Sequence, residues 1–101
     1  MIVEVATINV KRGSEEAFEE AVGKARDVFS QAHGCVGLAL EKCVEKPGEY
    51  AVIIRWRKLE DHVPGFRESP LFAEWRALIS PHFTEPPTVK HFVVKLELMS
   101  F

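Results

Sequence analysis

The residues able to do chemistry are few and widely spaced. Four histidines stand at 33, 62, 82 and 91, separated by 29, 20 and 9 residues. None has a second ligand at helical or finger spacing, so the pattern predicts no metal centre. His33 falls at the end of a predicted helix, where a cation complements the dipole, and His91 within a strand reads as structural. His62 and His82 are left open. Cys35 and Cys43 share one predicted strand, eight residues and about 26 Å apart, so they cannot bridge within the chain. Neither cysteine has an evident activating base, and free thiols suit a reducing compartment. No glycine-rich phosphate loop, nucleophile elbow or paired-cysteine motif occurs. A cluster of aromatics is more informative: Trp56 at the end of one strand, then Phe66, Phe72 and Trp75. They form either plain core or the walls of an apolar pocket whose polar contacts come from His62, Arg76 or Asn9.

Those residues need elements to position them. Residues 2–10, rich in β-branched side chains, read as a first strand. Ser14 reads as an N-cap, with Glu15 and Glu16 in the first turn. Phe18, Ala21, Val22, Ala25, Val28, Phe29 and Ala32 then make one apolar stripe about five turns long that stops at Gly34. Residues 35–44 and 50–57, joined by a turn at Glu45-Lys46-Pro47-Gly48-Glu49, read as a hairpin. A short helical piece at 59–63 ends at Pro64-Gly65. A second helix starts with Ser69 as N-cap and Pro70 at its first position, carrying Leu71, Phe72, Trp75, Leu78 and Ile79, and residues 88–97 form a last strand.

The order β-α-β-β-α-β predicts one α+β domain over residues 1–101, ferredoxin-like, with a four-stranded antiparallel sheet. Two helices cover only one face of such a sheet. Yet Val3 and Val5 oppose Ile2 and Ile8, Ile53 opposes Ile54, and Val93 opposes Val94, the pattern of strands buried on both sides. A second copy of the chain on the open sheet face is the economical cover. Thirteen basic against fifteen acidic residues, net −2, give no electrostatic ground for nucleic acid or an anionic membrane as partner. The start Met1-Ile2-Val3-Glu4-Val5 lacks the pattern of a signal peptide, so a cytoplasmic location is expected.

The chain resembles the antibiotic biosynthesis monooxygenase family. The likeness runs through Lys11-Arg12-Gly13-Ser14 leading into the first helix, Trp56 closing the third strand, and Ser69-Pro70-Leu71-Phe72 opening the last helix. The resemblance implies a dimeric α/β barrel, two chains packed sheet to sheet, with a pocket between sheet and helices in each. It implies oxidation of a quinol or polyketide-like phenol by O₂ without metal, haem or flavin, since a deprotonated electron-rich aromatic can itself reduce oxygen. In that reading His62 is the general base, Asn9 or Arg76 steadies the oxyanion, and Trp56, Phe66, Phe72 and Trp75 hold the ring. The chain departs from the family where members often carry a histidine three residues before the serine, here Phe66. Ala6, Phe66 and Arg76 stand where haem-degrading relatives have asparagine, tryptophan and histidine, so a haem site is not expected. The alternatives are a noncatalytic dimeric barrel that binds a small apolar ligand, or another barrel chemistry such as isomerisation.

Overall fold

The structure, a computed structural model, describes residues 1–100. The first strand, β1, is Ile2–Asn9; α1 (Glu15–Lys24) and α2 (Arg26–Ser30) follow, then β2 (Cys35–Lys42) and β3 (Glu49–Trp56). An irregular turn over Asp61–Phe66 leads to α3 (Pro70–Ile79), and β4 is Thr88–Val93. The sheet is antiparallel in the order β2-β3-β1-β4. This is the expected ferredoxin-like arrangement, with β1 in the interior of the sheet.

Strand parity decides what each residue meets. Glu4, Ala6 and Ile8 of β1 and Tyr50, Val52, Ile54 and Trp56 of β3 are all buried, facing the helices. The helical stripe meets them, with Phe18, Ala21, Val22, Ala25, Val28, Phe29 and Ala32 in the same core as Trp75 and Ile79 of α3. The single long helix expected from that stripe is broken in two. At Ala25 the backbone N–H reaches both the Ala21 and Val22 carbonyls, at 3.2 and 3.0 Å, and this tightened turn lets one stripe follow the twisted sheet.

Several boundaries differ from the sequence reading for local reasons. Neither Ser14 nor Ser69 caps its helix through the side chain. The Ser69 hydroxyl donates to the Phe66 carbonyl at 2.8 Å, and Glu15 accepts from the Gly13 N–H at 3.0 Å. The short helical piece starts at Leu59 as expected but does not end at Pro64-Gly65; it runs on through the irregular turn to Phe66. Its Val63 is extended (φ −127°, ψ 110°), the conformation a residue before proline prefers. A bulge between Cys35 and Gly37 turns Val36 outward and leaves Cys35 packed with Leu38 and Leu40 against the core. The last strand stops at Val93 rather than residue 97, because Val93 already pairs with Ile2 and β1 has no further strand to offer.

The opposite sheet face carries Val3, Val5 and Thr7 beside Ala51 and Ile53 of β3 and Phe92 of β4, and among the described residues no element covers it. Phe92 is 54% exposed, and Val94, Leu96, Leu98 and Met99 beyond the strand are more open still. The chain exposes 6903 Å², against roughly 5,800 Å² for a self-contained monomer of this mass.

Candidate active site

Glu4 is the unexpected residue. It sits in the middle of β1 with the parity of the core, is 5% exposed, and therefore carries a carboxyl into the space between sheet and helices. A buried carboxyl needs partners. Trp56, at the end of β3, donates its indole Nε1–H to Glu4 Oε1 at 2.9 Å. The turn after β3 brings in His62, 2% exposed, whose Nε2 lies 3.3 Å from the same oxygen. The other ring nitrogen, Nδ1, shares a 2.7 Å hydrogen bond with Nε2 of His91. His91 stands directly opposite Glu4 in the β1–β4 register, so strand pairing alone sets acid and imidazole side by side on the same face. The His62 ring stacks on Trp56 with centroids 5.2 Å apart and planes 15° from parallel.

The electrostatics follow from burial. Loss of water raises the Glu4 carboxyl above the usual carboxylate range, against the Trp56 hydrogen bond and the Arg67 guanidinium, which lower it. Desolvation likewise lowers His62 to about 4, helped by His91 and Arg67. His62 is thus a neutral imidazole at pH 7.

Glu4 and His62 lie in the wall of a cavity of about 430 Å³, a size suited to a small aromatic molecule. Its apolar wall includes Phe66, Phe72, Trp75 and Ile79, and Arg67 and Arg76 bring positive charge to it. Both guanidiniums lie over the Phe72 ring, at 5.2 and 5.9 Å from its centroid. The segment Phe83–Pro87 and Val89 complete the wall.

The structure therefore brings together five of the seven residues expected at the site: His62, Arg76, Phe66, Phe72 and Trp75. Trp56 is not on the wall. It is fully buried behind Glu4 and His62 and acts on them rather than on a ligand. Asn9 is also off the wall; its amide donates to Glu85 at 3.2 Å and its carbonyl accepts from Thr84 at 2.9 Å, so it ties down the 83–87 segment. The choice between core and pocket dissolves for Trp75, which packs edge-on against Phe29 at 4.9 Å and also lines the cavity.

Of the other histidines, His82 packs edge-on to Phe18 and is absent from the cavity wall. His33 lies past the end of α2 and pairs with Asp61 at 3.6 Å rather than serving the helix dipole. Burial pushes the Cys35 thiol up, away from reactivity. Among the described residues no group of three or more histidine, cysteine, aspartate or glutamate side chains is placed to hold a metal ion. Among the same residues no helix is long and apolar enough to cross a membrane.

Sequence reasoning missed Glu4, Arg67 and the pairing of His91. The signal for Glu4 was its parity with Ala6, Ile8 and Val10. The His91 contact depends on a strand register that spacing does not reveal.

Comparison with known proteins gives the same frame. The uncharacterized Bacillus subtilis protein YczJ is 39% identical over 92 residues, covering 91% of this chain and 97% of that one. A Bordetella bronchiseptica structure assigned to the antibiotic biosynthesis monooxygenases is 41% identical with a TM-score of 0.91, covering 94% of this chain and 97% of its own. SnoaB, a cofactor-independent oxygenase from Streptomyces nogalater, shares the fold at 18% identity and a TM-score of 0.81, covering 98% and 97%. The sequence profile of the antibiotic biosynthesis monooxygenases matches residues 1–78, and this chain belongs to that family.

Proposed function

We propose that the protein is a cofactor-independent monooxygenase that oxidises a quinol or a phenolic, polyketide-like aromatic with O₂ in the cavity between the sheet and α3. One observation carries this reading: a buried carboxyl–imidazole pair opens into an aromatic-lined cavity flanked by two arginines. A phenol becomes a good electron donor to O₂ once its proton is removed. Both ring nitrogens of His62 are engaged, so the carboxyl of Glu4 is the base, and its raised affinity for a proton makes it a stronger base than an ordinary carboxylate. Arg67 and Arg76 stabilise the phenolate and reduced oxygen. Phe66, Phe72 and Trp75 hold the ring. One oxygen atom enters the substrate and the other leaves as water, with all four electrons drawn from the aromatic.

The same proposal includes a homodimer through the open sheet face, supported by the uncovered Val3, Val5, Ile53 and Phe92. It includes a cytoplasmic setting, supported by two free cysteines.

A noncatalytic barrel binding a small apolar ligand is the second reading. It is favoured by the occupied state of His62 and by Phe66 at the position where family members often carry histidine. Titration of tryptophan fluorescence with naphthoquinol-sized aromatics, run beside an oxygen electrode, separates the two. Saturable quenching with O₂ uptake is expected; quenching alone supports the second reading, and neither signal with any aromatic overturns both.

A further inference from the structure

Glu4, His62 and His91 form a continuous line from the cavity wall to the protein surface. Glu4 and His62 are buried, whereas His91 on the edge strand β4 is exposed. The two links, 3.3 Å and 2.7 Å, use opposite nitrogens of the His62 ring. That is the geometry by which an imidazole passes a proton through itself, receiving on one nitrogen and releasing from the other. A histidine kept only for packing needs a single partner for its N–H; here both nitrogens lie on one route.

We infer that His62 and His91 form a proton path between the Glu4 carboxyl and solvent. This deepens the oxygenase reading, which supplies the use for the proton. With Glu4 ionised, His62 Nε2–H donates to Glu4 Oε1 and His91 Nε2–H donates to His62 Nδ1. A proton arriving from water at His91 Nδ1 lets the Nε2 proton of His91 move to His62 Nδ1, and the Nε2 proton of His62 move to Glu4. One proton has entered, the carboxyl is neutral, and both imidazoles have exchanged tautomers. The reverse sequence discharges Glu4 to water. His62 stays neutral at both ends of the transfer.

The surroundings agree with that neutrality. Arg67 opposes positive charge on His62 and favours the ionised Glu4. The Trp56 ring covers one face of His62, and its N–H fixes the Glu4 oxygen to which the path leads. Asp61, the residue beside His62, pairs with His33 at 3.6 Å. Lowered basicity keeps His62 from trapping the proton in transit.

The test is an NMR titration of the full chain, labelled with ¹⁵N-histidine and ¹³C-glutamate and without substrate. As the Glu4 carboxyl protonates, the His62 proton should switch from Nε2 to Nδ1 with the same midpoint. In Glu4→Gln, which keeps an acceptor for Trp56, the switch should be lost. In His91→Phe, exchange of the His62 ring N–H with water should slow. A His62 proton that stays on one nitrogen through the Glu4 titration, an equal switch in Glu4→Gln, or unchanged exchange in His91→Phe would overturn the path. Because these spectra contain no aromatic and no O₂ chemistry, failure of the path and failure of the oxygenase reading are separate results.

Discussion

At the scale of residues, one buried triad of Glu4, His62 and Trp56 links stability to pH. His62 has its affinity for protons lowered to about 4, while the unfolded chain binds a proton near the ordinary histidine value. Its contribution to stability is therefore present above the unfolded value and lost as pH falls through 4. Glu4 acts in the opposite sense. Its raised proton affinity stabilises the fold at low pH, a contribution lost as pH rises through its folded value. Replacing His62 removes the first effect alone. We expect the unfolding free energy of wild type to fall between pH 7 and pH 4 by up to about 3 kcal/mol more than that of His62→Gln. Urea midpoints at the two pH values check this, and equal losses would contradict it. At pH 7, Glu4→Ala should cost about 2–3 kcal/mol because the Trp56 N–H is left buried without an acceptor, whereas Glu4→Gln should cost under about 1 kcal/mol. His62 was legible in the sequence as a candidate base near an aromatic group, a role that its two engaged ring nitrogens pass to Glu4. Its partners were not, since a carboxylate in a β-branched strand is usually a solvent-facing residue and only its parity marks it otherwise.

At the scale of elements, the order of strands and helices was legible because period-2 and period-3.6 patterns are imposed by the core itself. Their ends were not, because hydrogen bonding to neighbours sets them: β4 ends where β1 runs out of pairing residues, and β2 bulges where it leaves α2. The α2–β2 junction depends on Gly34, which has φ +79°. A side chain there would run into Asp61, whose Oδ2 lies 2.1 Å from the position a Cβ would take. Gly34→Ala should lower stability by about 2–4 kcal/mol, combining left-handed strain with overpacking. Thermal denaturation tests it, and a neutral substitution would show that the Asp61 turn moves freely. On α3, Phe72 is half-buried in the cavity wall, whereas Trp75 also holds Phe29. Phe72→Ala should weaken aromatic binding by about 1–2 kcal/mol with little change in melting temperature, and Trp75→Ala should cost about 3–5 kcal/mol of stability as well. Equal stability losses for the two would contradict this division.

At the scale of the whole molecule, the open sheet face was legible as strands apolar on both sides. What covers it is a property of an assembly and not of one chain's pattern. With a second copy on the open face, light scattering at low micromolar concentration should give about twice 11.4 kDa. The double variant Val5→Lys, Ile53→Lys should give a folded monomer, since it introduces charge into the face without touching the core. A wild-type monomer with a cooperative unfolding transition would remove the dimer from the account. In the proposed reaction the cavity directs O₂ onto an aromatic through the Glu4 carboxyl. Turnover under ¹⁸O₂ with a quinol shown to bind, using wild type and Glu4→Gln, tests this most directly. Wild type should place one labelled oxygen in the product and one in water, and Glu4→Gln should bind undiminished but lose incorporation. Wild type that binds the quinol but leaves every ¹⁸O out of it, or Glu4→Gln that incorporates label at the wild-type rate, would contradict it.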